Sequence, residues 1–120
     1  CYAAYLVGYA WRENIVSTAY IKQFWKSKNF WIRRIALVAT VSLNQKARGG
    51  TGDAKNTISI CELAINDHHD MINKALSWAL RELSKVDRES VVNFLNQNKG
   101  QLHSRVMREV SKKLKTGLKN

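Results

Sequence analysis

The chain has 120 residues, 45% of them hydrophobic, which suffices for one domain with a real core and excludes a disordered polypeptide. Twenty Lys and Arg against nine Asp and Glu give a net charge of +11, so a polyanionic partner is the leading inference, nucleic acid ahead of an anionic membrane surface or an acidic protein. The longest apolar run, around Ile35 to Val41, falls short of the roughly 20 residues a bilayer span needs, and no signal-peptide pattern is present, so a soluble, cytoplasmic protein is expected.

Periodicity predicts helices at about Tyr2 to Tyr9, Glu13 to Lys26, Asn29 to Asn44, Ala54 to Asn66, Asp70 to Lys85, Arg88 to Asn98 and Ser104 to Thr116. Pro is absent, and Gly49, Gly50, Gly52, Gly100 and Gly117 fall between or after these segments, so the layout is all-α over a single domain, residues 1–120. Ser27, Asp53, Asp70, Asp87 and His103 or Ser104 stand where N-caps belong. The stretch "QKARGGTGD" from Gln45 is a basic connector between helix pairs. Cys1 and Cys61 have no metal-ligand spacing and are expected to be reduced thiols without a catalytic part. A start on Cys1 fits a piece of a longer reading frame.

Within "NKALSWALREL", Ala75, Leu76, Ala79, Leu80 and Leu83 are core positions, while Lys74, Trp78 and Arg81 share another stripe at spacings of four and three. The stretches "WIRRIALVAT", "MINKALSWAL" and "RVMREVSKKL" each place a basic residue after an apolar one and a variable one: Arg34, Lys74 and Arg108, at intervals of 40 and 34 residues. Such intervals suit stacked helix pairs of the HEAT-like or armadillo-type solenoid, whose second helices would line up the three cations as a ladder on one concave surface.

Other clusters have plainer readings. In "FWKSKNFW", Phe24, Trp25, Phe30 and Trp31 among Lys26 and Lys28 invite a single-strand stacking platform, but a helix-to-helix turn with its rings in the core is favoured. "NDHHD" lacks a third His or Cys ligand, so a capped turn around His68 and His69 is expected, with no metal and no cofactor. Asp87 and Glu89 are a cap and a dipole partner before they are an acid–base pair. The basic "KKLKTGLKN" tail is expected to be solvated, or at most to add phosphate contacts through Lys112 and Lys115 on the side of Arg108.

"NFWIRRIALVA", "INKALSWALREL", "VVNFLNQN" and "RVMREVSKKL", in this order and spacing, resemble the DNA alkylation repair family of HEAT-like-repeat DNA glycosylases, and only its C-terminal half. The resemblance implies an all-α solenoid that holds double-stranded DNA, including alkylated DNA, on its concave face. It implies that Arg34 faces the DNA backbone near the lesion, that Trp78 packs beside the damaged nucleotide with Arg81 one turn later, and that Lys74 and Arg108 line the same surface. The family's catalytic aspartate lies about thirty residues before the tryptophan that Trp31 matches, where this chain begins, so no catalytic residue is assigned. Without such a carboxylate a cationic groove binds DNA but stabilises an oxocarbenium-like transition state poorly. The expected function is therefore DNA binding near a damaged base. The competitors are a glycosylase active through dimerisation or through Glu13 or Asp53 as a substitute carboxylate, and a protein-interaction module. For the last, the N-terminal edge is expected to expose apolar surface around Tyr2, Tyr5, Leu6 and Tyr9, and a homodimer formed through that edge would fit either competitor.

Overall fold

The structure, a computed structural model, describes residues 2–46 and 49–116, and the side chains of all of these but Tyr2 and Thr116. Among them are seven α-helices and no strand: α1 Tyr2–Arg12, α2 Thr18–Gln23, α3 Phe30–Asn44, α4 Ala54–Leu63, α5 Asp70–Ser84, α6 Arg88–Gln97 and α7 Ser104–Thr116. The expectations for Cys1, Gly117 and the end of the basic tail lie outside the described residues, as does the centre of the connector, Ala47 and Arg48.

The ends of the helices show which local signals were decisive. Asp53 and Asp87 cap α4 and α6 by accepting from Asn56 N and Ser90 N, both at 3.1 Å. His103 accepts from Arg105 N at 3.0 Å through Nδ1. Two caps differ from expectation. His69 Nδ1, not Asp70, accepts from Met71 N at 3.1 Å, which moves Asp70 into the first turn of α5, still beside the positive end of the helix. Asn29, not Ser27, caps α3 through Trp31 N at 2.9 Å, while the Ser27 hydroxyl takes Asn29 N at 3.1 Å.

The single helix expected from Glu13 to Lys26 is also corrected. Asn14 turns to a φ of 62°, the left-handed region that Asn tolerates better than most side chains, and Ile15 N and Val16 N both return to the carbonyl of Ala10. α1 therefore closes there. Ser17 caps α2 by accepting from Tyr20 N, and α2 runs into a 3₁₀ turn over Phe24–Lys26.

The odd-numbered helices pack in series, α1 on α3, α3 on α5 and α5 on α7. α4 lies against α3 and α5, and α6 against α5 and α7, so α4 and α6 form a second layer. Between the layers are buried Leu37, Ile60, Ile72, Leu76, Leu80, Leu83, Val91, Phe94, Val106 and Val110. From Ala36 to Asn44 every residue of α3 is buried, so this helix has no wet face over that length.

Thr40 and Asn44 in this buried stretch are satisfied internally, Thr40 by donating to Leu37 O. Asn44 donates to Thr40 O at 3.2 Å and to Thr57 Oγ1 at 2.9 Å, and accepts from Asp53 N at 2.8 Å, which ties α3 to the start of α4. A second chain of hydrogen bonds runs from Trp11 Nε1 to Thr18 Oγ1, then to Asn56 Oδ1, linking α1, α2 and α4. The close approach of α1 to α3 depends on Gly8, where a Cβ would sit 2.7 Å from Ser42 Cβ and 3.0 Å from the carbonyl of Ala39. Gly8→Ala should thus lower unfolding stability by about 1–3 kcal/mol in urea titrations despite its better helix propensity. Gly100→Ala, where a Cβ meets nothing within 4 Å, should stay within about 0.5 kcal/mol of wild type.

Candidate nucleic-acid interface

α5 sets the site by dividing its circumference. Its apolar positions Ile72, Ala75, Leu76, Ala79, Leu80 and Leu83 are buried, and the stripe that remains carries Lys74, Trp78, Arg81 and Lys85. Lys74 and Lys85 are exposed; Trp78 and Arg81 are half-buried, with the indole packed on the edge of the core.

Two grooves share Trp78 and Arg81. One, of about 360 Å³, is completed by Lys74 with Arg105 and Glu109 of α7. The other, of about 350 Å³, is completed by Gln45 after α3, Glu82 and Lys85 of α5, and Lys113 of α7. The structure thus brings Lys74, Trp78 and Arg81 together. Arg34 and Arg108 line neither groove: Arg108 is exposed on α7, and Arg34 lies on α3 with its guanidinium 5.9 Å from the Trp31 ring and its buried Nε without a hydrogen-bond partner.

The α7 residues that do face α5 are Arg105, Glu109 and Lys113, spaced by four. That spacing was visible in "SRVMREVSKK", but aligning Arg108 with Lys74 selected the neighbouring stripe. What fixes the rotation of α7 is tertiary: Arg105 reaches Asp70 at 3.3 Å, and Ser77 Oγ donates to Glu109 at 2.7 Å.

The charges are interleaved. Asp70 is 3.8 Å from Lys74 as well as holding Arg105, and Arg105 Nε also meets Glu109 at 3.4 Å. Lys85 pairs with Glu82 at 3.1 Å, and Gln45 Nε2 donates to the same carboxylate at 3.4 Å. Arg81 donates through Nε to Ser77 O at 3.3 Å and has no carboxylate within 4.0 Å among the described residues. Partial burial alone would raise the Glu109 carboxyl. The Ser77 hydrogen bond and the Arg105 and Arg81 charges outweigh it, so Glu109 titrates below its ordinary value.

The remaining candidates have structural work. Asp67 holds Arg33 Nε at 3.1 Å and His69 N at 3.0 Å, and the His69 ring stacks on Phe30 at 3.9 Å, so "NDHHD" is a capped, braced turn. No group of three potential metal ligands occurs among the described residues. Burial pushes the Cys61 thiol up, away from thiolate chemistry. Asp53 divides its carboxylate between Asn56 N and Asn56 Nδ2, and Glu13 pairs with Arg12 at 3.1 Å. Asp53 borders a separate polar pocket of about 170 Å³ with Trp11, Thr18 and Asn56. Phe24, Trp25 and Phe30 pack against the core as expected of "FWKSKNFW", but Trp31 does not and remains 52% exposed. No described helix is long and apolar enough to cross a membrane.

A family model described as DNA alkylation repair enzyme matches residues 1–114 of the chain. No curated protein and no solved structure matches it.

A carboxylate held below its ordinary pKa stabilises the fold above the ordinary glutamate range, and that contribution is lost as pH falls through the lowered folded-state value. Glu109→Gln should therefore melt at a lower temperature than wild type at pH 7. In thermal melts taken down a pH series, the gap should narrow as the solution becomes more acidic than the ordinary glutamate range.

Proposed function

This chain belongs to the DNA alkylation repair enzyme family, and from that premise we propose that it binds double-stranded DNA near a damaged base through the basic stripe of α5 and α7. The observation that carries this reading is the shared wall formed by Trp78 and Arg81 between two grooves rimmed by Lys74, Lys85, Arg105 and Lys113. An indole packs on a sugar or base, and a guanidinium that forms no close ion pair is suited to bidentate contact with phosphate. Of the rim carboxylates, Asp70 is exposed together with Lys74, and a surface ion pair of this kind is worth about 0–1 kcal/mol, so Lys74 can exchange it for a phosphate at small cost. Glu82 and Glu109 are more enclosed and keep Lys85 and Arg105 oriented along the rim.

In this reading the serial packing of α3, α5 and α7 is a HEAT-like repeat, and Arg34 and Arg108 extend the cationic stripe along the duplex on either side of Lys74. Contacts to phosphate position the protein without selecting sequence, so the reading is one of damage-directed rather than sequence-directed binding. Excision of a cationic purine would still require a carboxylate at the reacting sugar. Glu13 and Asp53 do not fit that part, since Asp53 is spent on capping α4 and neither lines the Trp78 grooves.

A second reading rests on α1, where Tyr5, Leu6 and Tyr9 are each close to half exposed on one helix. A contiguous patch of this kind marks an association surface, and a second copy of the chain is the simplest occupant.

For the main reading, the affinity of Arg34→Ala/Arg81→Ala for a short duplex should fall about tenfold or more. The slope of log affinity against log salt should flatten by about one unit for each phosphate contact removed. Trp78→Ala should weaken binding to a duplex with an abasic-site analogue more than to an undamaged one. Unchanged affinity in the double variant would remove the proposal. Sedimentation showing a monomer at all concentrations would remove the second reading.

A further inference from the structure

Of the four tryptophans, Trp31 is the one that neither the core nor the Trp78 grooves account for. It stands in the first turn of α3, 52% exposed, although the Phe30 ring lies 4.6 Å from its own and the Arg34 guanidinium 5.9 Å from it. Ile32, the next residue, is 40% exposed, so the apolar surface is not a single isolated ring. The stretch of sequence that carries it is strongly cationic. From Asn14 to Gly52 the sequence holds seven Lys and Arg and no Asp or Glu. Lys22, Lys26 and Lys28 are all exposed, and of the carboxylates contributed from elsewhere, Asp67 is taken up by Arg33.

An exposed indole with a guanidinium against it and no acidic residue in its own segment is unfavourable surface for an apolar protein partner, because the cations would have to be desolvated. It suits a ligand that is aromatic and anionic together. Nucleotides combine these properties, and stacking is tolerant of base identity because every base has a π-face.

We propose that Trp31, with Arg34 against its ring and Lys28 three residues before it, is a stacking site for an unpaired nucleobase of DNA, separate from the grooves around Trp78. For the identity of the partner the proposal rests on the DNA-binding reading given above, but it uses a different aromatic residue on a different helix. Its consequence is a preference for DNA in which a base is already unstacked, beyond any affinity for the intact duplex.

The test compares a perfect duplex, the same duplex with one bulged nucleotide, and the single strand, by fluorescence anisotropy of an end label. Wild type, Trp31→Ala, Trp31→Phe and Arg81→Ala are measured, with circular dichroism to verify folding. Wild type should bind the bulged duplex and the single strand with an affinity that Trp31→Ala reduces about 5- to 150-fold, the range of one lost stack, while the perfect duplex changes less than about twofold. Trp31→Phe, which keeps a ring, should retain most of the preference.

Equal binding to bulged and perfect duplex by wild type, or an unchanged preference in Trp31→Ala, overturns the stacking site. In that case a loss of duplex affinity in Arg81→Ala would leave the α5 and α7 reading standing. Loss of single-strand binding in Trp31→Ala without any duplex binding by wild type would support the stacking site and remove the duplex reading. Poly-glutamate serves as the competing probe: if Trp31→Ala weakens its binding as much as that of bulged DNA, the surface recognises acidic protein and the proposal falls.

Discussion

The burial of α3 on every side from Ala36 to Asn44 is the constraint on which the rest of the molecule depends. A helix that has no face for water from Ala36 to Asn44 can include polar residues only if the fold answers each hydrogen-bonding group. Thr40 Oγ1 returns to the carbonyl of Leu37, and Asn44 spends its amide on Thr40, Thr57 and Asp53 N. The last of these contacts determines where α4 begins. With α3 enclosed, α5 can pack its apolar side against it and leave its other stripe to solvent. The position of Lys74, Trp78 and Arg81 is therefore a consequence of how completely the preceding odd helix is surrounded.

The candidate surface is not a uniform field of positive charge. Asp70, Glu82 and Glu109 interrupt it, and each holds a cation in place. Glu109 contributes most to this order, because it is drawn by Ser77 and Arg105 at once and fixes α7 relative to α5. A row of unpaired cations would repel itself and leave long side chains disordered. Interleaved carboxylates reduce both costs while keeping the local balance positive.

Much of this was legible in the sequence, and the boundary of legibility has physical causes. Asp53, Asp87 and His103 could be recognised as caps because each precedes an apolar periodic run and has an acceptor that reaches back to the backbone. His69 and Asp70 could not be separated that way, since both side chains can accept and they are adjacent. The break after α1 was expected too early, between Tyr9 and Glu13 and not after Arg12, because neither Gly nor Pro marks it and Ile15 and Val16 continue the apolar pattern through an Asn that takes a positive φ. On α5 the division of faces was readable from spacing alone. On α7 it was not, because two basic stripes lie side by side and only contacts to Asp70 and Ser77 determine which one turns inward. The exposure of Trp31 was hidden for a similar reason: an aromatic residue preceding an apolar run reads as core until the neighbouring elements are in place.

The serial packing of the odd helices also limits how distant parts of the molecule can influence each other. α1 makes no extensive contact with α5 or α7 among the described residues, so coupling free energy between a ligand at the Trp78 grooves and a partner on the exposed tyrosines of α1 passes chiefly through α3, with the Trp11–Thr18–Asn56 hydrogen bonds to α4 as a lesser route. That helix is enclosed by rigid packing, with Gly8 of α1 against Ser42 at one side and α5 at the other, and a close-packed element of this kind transmits a displacement but does not absorb one. The two surfaces are joined by a stiff mechanical link, and a ligand that altered the tilt of α5 would be felt at α1 as a change of orientation, not as a change in local order.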